Sequence, residues 1–194
     1  MTGESMKQVQ NSPHLERLRQ KNFDVLYLID PVDEWVMNAV SEFAGKKLIS
    51  VNRGDLDLDS ETEKASREEQ LKTQGERFKI LTESMQKVLA DAVKEVKISD
   101  RLVDSPVCLV SGSEDPSAHM ERIMAAMGQE VPRSKRILEI NPNHPIFAKM
   151  LNFPAEKKDS WTELLYNQAL LNEGSPLKDP AKFSKQITEL MVEL

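Results

Sequence analysis

Chemistry at neutral pH would start from a histidine, a cysteine or a close group of carboxylates, and this chain offers few of them. Its three histidines, His14, His119 and His144, lie far apart, show no metal-ligand spacing and read most simply as surface or turn residues. The single cysteine, Cys108, sits in the apolar run at residues 107–110, which makes it a buried, inert thiol without a partner for an internal disulfide. Asp30, Asp33 and Glu34 are close together, and a metal-independent hydrolase built on them is the enzymatic alternative. All three also fall where Asp30-Pro31 announces a helix, and carboxylates there stabilise the positive end of the helix dipole, which accounts for them. No glycine-rich phosphate loop, nucleophile elbow or paired-cysteine cluster occurs. The chain has no recognisable catalytic centre, and no metal or cofactor is expected within it.

The residues that stand out suit binding instead. Met120, Ile123, Met124 and Met127 form a methionine-dominated face on a helix expected to start at Asp115-Pro116 and end near Gly128. Methionine fills irregular gaps in a core, the commoner use, but it also suits a surface that must take varied partners. Gly112, Ser113, Ser117 and Gly128 around this helix suggest an accessible rim. Near the end of the chain two further stripes appear: Trp161, Leu164, Leu165 and Ala169 on a helix started by the capping box Ser160-x-x-Glu163, and Phe183, Ile187, Leu190, Met191 and Leu194 on one started by Asp179-Pro180. Periodicity alone lets these stripes pack on each other and on a sheet, or against a second copy in a four-helix bundle.

The elements that must position these faces read as follows. Residues 24–29 are rich in β-formers, and a helix follows from Asp30-Pro31, with Val36, Ala39, Val40 and Phe43 on one face and Gly45 closing it. Residues 47–51 read as a second strand, so the opening segment is expected to be a β-α-β unit, a partial α/β layer whose other strands belong to a longer parent. Residues 53–67 turn acidic and lose apolar periodicity, which marks a linker and a boundary between residues 1–58 and 59–194. Beyond it Leu71, Phe78, Leu81, Met85, Val88, Leu89 and Ala92 define one long amphipathic helix, weakened at Gly75. Strands at 96–98, 107–110 and 137–140 then make a small three-stranded sheet, and the expected class is α+β.

With 194 residues the chain can hold one large domain or two small ones. A hydrophobic share of 39%, a charged share of 30% and mixed signs describe a globular protein. A net charge of −6 leaves no dominant basic surface, which argues against nucleic acid as a partner, and no stretch is long and apolar enough to span a membrane. The first residues carry no apolar segment of the secretory kind, so a cytoplasmic location is expected.

Several strings in this order resemble the ninety-kilodalton heat-shock chaperone family, and its bacterial branch above all. They are NSPHLE at residues 11–16, LYLIDPVDEW at 26–35, GKKLISVNRGDLDL at 45–58, Ser99-Asp100-Arg101-Leu102 with Ser105-Pro106, and LEINPNHPI at 138–146. The resemblance covers nearly the whole chain. It implies that residues 1–58 correspond to the end of a middle domain and residues 59–194 to a C-terminal dimerisation domain. It also implies that Trp161, Leu164, Leu165, Ala169, Phe183, Ile187, Leu190, Met191 and Leu194 lie in an intersubunit four-helix bundle, and that Met120, Ile123, Met124 and Met127 contact partly folded client proteins. The family's ATP-binding domain and its magnesium belong to the parent, so this segment is expected to bind neither and to catalyse nothing. A homodimeric scaffold without client contact is the alternative.

Overall fold

The computed structural model describes residues 1–129 and 134–192. Along the chain its elements are α1 (Met6–Gln10), a 3-10 turn (Pro13–Leu15), α2 (Glu16–Gln20), α3 (Pro31–Ala39), β1 (Glu42–Phe43), β2 (Lys46–Lys47) and α4 (Glu61–Val88). They continue with β3 (Val93–Ile98), β4 (Val107–Val110), α5 (Ala118–Ala126), β5 (Arg136–Ile140), α6 (Pro145–Met150), α7 (Ala155–Glu173) and α8 (Pro180–Val192). The class is α+β, as expected. The three strands expected at 96–98, 107–110 and 137–140 form one mixed sheet in the order β3-β5-β4, with β5 parallel to β3 and antiparallel to β4.

Strand alternation decides what this sheet covers. Val107, Leu109, Leu138 and Ile140 turn to a core that also takes Phe78, Leu81 and Met85 from α4, Phe147 and Met150 from α6, and Leu165 and Ala169 from α7. Their neighbours Cys108, Val110 and Ile137 meet Leu102 in a second cluster. All four residues of β4 are buried because both faces of the sheet are covered. Helix α4 starts where Ser60 donates its backbone N–H to Glu63 Oε2 at 2.9 Å, so the acidic stretch expected as a linker is already helical from Glu61 onward. The apolar residues of α4 that are buried, Phe78, Leu81 and Met85, all lie in its second half.

The expected β-α-β unit does not form. Residues 24–29 pair only with the start of the chain, where Leu28 donates to the Met1 carbonyl at 3.0 Å and accepts from the Gly3 N–H at 3.1 Å. Of the strand expected at 47–51 only Lys47 is one: β2 folds back on β1 as an antiparallel hairpin around Ala44 and Gly45, whose φ values of +48° and +75° suit the tight hairpin turn. Gly45 therefore turns a hairpin, while α3 ends earlier, at Ala39. The reason is the cost of isolation. A parallel pair needs cover on both faces, whereas in this chain Leu26 and Ile49 are 68% and 62% exposed. A hairpin needs only its own turn. The core of this opening segment is instead a small cluster of Leu15, Leu18, Val51 and Leu56.

Two helix starts also differ from expectation. Helix α7 begins at Ala155 after Pro154, which places Ser160 and Glu163 in its interior, because nothing in residues 155–159 opposes helix. Helix α5 is capped by Ser117, whose hydroxyl accepts the Met120 N–H at 2.9 Å, so it starts two residues beyond Asp115-Pro116.

Phe147 is fully buried where α6 meets the sheet and Ile80 is 82% exposed on α4. Phe147→Ala should lower unfolding stability by about 3–5 kcal/mol in urea titration, while Ile80→Ala stays within about 0.5 kcal/mol of the parent.

Candidate functional surfaces

The three carboxylates at the start of α3 have separate roles. Asp33 accepts the Asp30 N–H at 2.9 Å and completes the helix start, as expected. Glu34 also lies in the first turn of α3, as expected, but its side chain is held elsewhere. It is buried and accepts hydrogen bonds from Thr2 Oγ1 at 2.5 Å and Ser117 Oγ at 2.6 Å, with Arg53 Nη2 at 3.4 Å. Since Ser117 also caps α5, one carboxylate fixes the start of the methionine helix to α3. Of the histidines, His144 caps α6 by accepting the Ile146 N–H at its Nδ1, a turn role as expected. His14 and His119 are each only 7% exposed, against the surface reading. Burial, helped by the Arg101 cation, pushes the His14 pKa down to about 3, and burial also lowers that of His119. Their burial had no sequence signal, because it comes from segments far apart in the chain. Cys108 is buried, and burial pushes its thiol well up.

On α5 the four methionine-face residues divide. Met120 is 4% exposed and anchors the helix, Ile123 and Met124 are half-buried, and Met127, just past the helix end, is 62% exposed. Helix α3 packs beside α5 and presents Val32, Trp35 and Val36 at 59%, 45% and 43% exposure. Val36 was expected on an apolar face of this helix, but Val32 and Trp35 were missed, although their i, i+3, i+4 spacing with Val36 is readable in the sequence.

The two C-terminal stripes also differ. Leu165 and Ala169 are spent in the core of this chain, Leu164 is buried, and Trp161 leans on that core with its ring 5.6 Å from that of Phe153. On α8 the order is reversed. Gln186 is its one buried residue among those described, Phe183, Ile187 and Leu190 are half-buried, and Met191 is 68% exposed. Leu194 lies outside the described residues. Asp179 caps α8 through the Lys182 N–H at 2.9 Å, as its position before Pro180 suggested, and an ion pair between Lys182 and Glu163 ties α8 to α7.

A partly open hollow of about 40 Å³ lies among His14, His119, Cys108 and Arg122. Among the described residues no group of histidine, cysteine and carboxylate side chains is placed to hold a metal ion, and no helix is long and apolar enough to cross a membrane.

The scaffold thus has a sheet covered on both faces, a methionine helix and a partly covered terminal helix. The chain matches the Hsp90 protein family over residues 1–194 and belongs to that family. Its relatives are bacterial chaperones of the HtpG type. It is 55% identical to the chaperone protein HtpG of Bdellovibrio bacteriovorus over 100% of its own length and 31% of that relative. It is 48% identical to the HtpG of Geobacter metallireducens over 99% of its length and 30% of that relative. With Myxococcus xanthus HtpG the identity is 44% over the same shares. The chain thus spans about a third of the length of the curated relatives it matches.

Neutral, buried His14 and His119 have a consequence for stability. Both pKa values are depressed in the folded chain, so below the unfolded value of about 6.5 the unfolded state binds more protons, and stability is lost as pH falls from there. The unfolding free energy from urea titration should fall between pH 7 and 5, by up to about 1.4 kcal/mol per pH unit for His14, with a further loss in the same direction from His119. His14→Gln should flatten that slope. A profile unchanged by the substitution would show that His14 is not the titrating group.

Proposed function

We propose that this chain is the dimerisation and client-holding region of an ATP-dependent chaperone. The observation that carries the reading is the apolar face of α8. Phe183, Ile187, Leu190 and Met191 lie along one side of a helix whose one buried residue among those described is a glutamine, so the chain itself covers the first three only in part and leaves Met191 68% exposed. Two copies related by a twofold axis would bring α7 and α8 of each into a four-helix bundle and cover both faces. Each large aliphatic side chain buried contributes roughly 1.5–3 kcal/mol, so a few per copy suffice for a lasting dimer. In that arrangement Leu165 and Ala169 support the bundle from inside each copy, while Trp161, Phe183, Ile187, Leu190, Met191 and Leu194 form its contact surface.

Client contact follows from α5. Ile123, Met124 and Met127 give an adaptable apolar surface anchored by Met120, and the Val32, Trp35 and Val36 stripe of α3 widens it. Residues 1–58 act as the end of a middle domain and residues 59–194 as the dimerisation domain. ATP and magnesium act in the longer parent, and the dimer holds its two ATPase arms at high effective concentration in the cytoplasm. The chemistry of this part is binding alone.

Sedimentation equilibrium of the chain and of Leu190→Asp checks the first half of this reading. A dimer that the added charge dissociates into folded monomers supports it, and a native chain that stays monomeric at high concentration refutes it. For the second half, Met124→Ser with Met127→Ser should weaken suppression of aggregation of heat-denatured citrate synthase and leave dimerisation intact. Unchanged suppression would leave a dimeric scaffold that does not touch clients.

A further inference from the structure

Arg136 opens the central strand β5 and reaches two helices at once. Its guanidinium meets Glu121 of α5 with both terminal nitrogens, Nη2 to Oε2 at 2.8 Å and Nη1 to Oε1 at 3.1 Å, while Nε donates to Glu173 Oε1 at 3.2 Å. The three side chains are only 8%, 12% and 13% exposed. Glu173 is the last residue of α7, and Gly174 follows it in the left-handed conformation at φ +83° and begins the turn into α8. That turn is held from the same side. Ser175 Oγ donates to Glu173 Oε2 at 2.5 Å, Gln8 Nε2 donates to the Glu173 carbonyl at 2.9 Å, and Arg122 of α5 makes longer contacts to the same carbonyl and to Ser175 Oγ. Of these consecutive residues of α5, Arg122 is bound to the end of α7 directly and Glu121 through Arg136.

We propose that Arg136 is a positioning residue that couples the exposed face of α5 to the turn from which α8 departs, so that client binding and dimerisation strengthen each other. This rests on the reading of α5 as a client surface and of α8 as a dimer contact. The argument is geometric. Helix α5 is short, and its polar side is anchored by a planar fork that accepts one arrangement of carboxylates, which a lysine would not reproduce. A partner resting on Met124 and Met127 favours the position of α5 at which Glu121 reaches Arg136. In that position Arg136 is oriented for Glu173, the turn at Gly174 loses freedom, and α8 is presented to the second copy in one direction. Coupling of this kind is reciprocal: whatever factor the client adds to the dimer constant, the dimer adds to the client constant.

The test measures both constants on the full chain, with permanently unfolded carboxymethylated α-lactalbumin as the probe. Saturating probe should tighten the dimer roughly fivefold or more by sedimentation equilibrium, a factor at the lower end of measured couplings between sites. In Arg136→Met, dimer and probe binding should each persist while the factor falls to within twofold of one. Glu173→Gln keeps the shape of the side chain, removes one charge and should lower the factor in the same direction, which serves if Arg136→Met does not fold. A merely structural Arg136 would lower thermal stability and leave the coupling factor as it was. An equal factor in parent and variants, or no coupling in the parent, overturns the proposal. Absence of the dimer or of probe binding in the parent would instead refute the functional reading beneath it.

Discussion

The ion pair between Arg101 and Glu139 is the point on which the two ends of this chain depend. Glu139 lies on the central strand, on the face away from the main core, and both side chains are at most 1% exposed. Arg101 donates Nε to Glu139 Oε2 at 3.0 Å, Nη1 to the Val51 carbonyl at 2.8 Å and Nη2 to the Gly54 carbonyl at 2.5 Å, and Ser99 Oγ also donates to Glu139 at 2.7 Å. A buried pair of this kind adds little net stability, because desolvation offsets most of the attraction. What it supplies is direction: a guanidinium that must satisfy two carbonyls and a carboxylate admits one placement of residues 51–54 against the sheet. The backbone continues the same register, with Gly54 donating to Ser111 and Ser111 to Asn52.

Much of the sheet and the long helices was legible in the sequence because each has a period that only one element satisfies. β4 is four apolar residues in a row, and Phe78, Leu81 and Met85 recur at helical spacing; both patterns report burial that the local chain already dictates. What was not legible depended on distant partners. The run at 24–29 has the composition of a strand and no neighbouring strand to complete it. Ser160 and Glu163 have the spacing of a capping box, yet a helix that starts earlier turns them into lateral contacts for α8. Glu34 has the neighbours of a helix-start carboxylate, and only the fold brings Thr2 and Ser117 to it. His14 and His119 are polar residues in polar surroundings until segments remote in sequence close over them.

The apolar surface divides in a way that periodicity could not foresee. Both terminal helices have stripes of similar strength, but α7 runs alongside β4 and α4 and spends its stripe inward, whereas α8 departs through the Gly174 turn and touches α7 through polar residues. The difference lies in the turn rather than in the stripe. An αL glycine followed by five residues redirects the chain far enough that Phe183 and Ile187 clear the sheet core. Equal stripes therefore end differently: the first closes a core and the second is covered only in part.

Among the described residues no apolar cluster spans the seam between the opening segment and the sheet. The cluster of Leu15, Leu18, Val51 and Leu56 contains no residue of the sheet core, and the sheet core contains none from the opening segment. What joins them is polar and directional. Glu16 accepts the N–H groups of Val103 and Asp104 at 2.7 and 2.8 Å and that of Ser105 at 3.1 Å, Arg17 reaches both Asp59 and the Asp100 carbonyl, and Lys97 pairs with Asp55. Separating two apolar cores that share a face would expose oil to water, at a cost that grows with area. Parting a polar seam exchanges its hydrogen bonds for bonds to water, which costs about 0.5–1.5 kcal/mol for each ordinary bond.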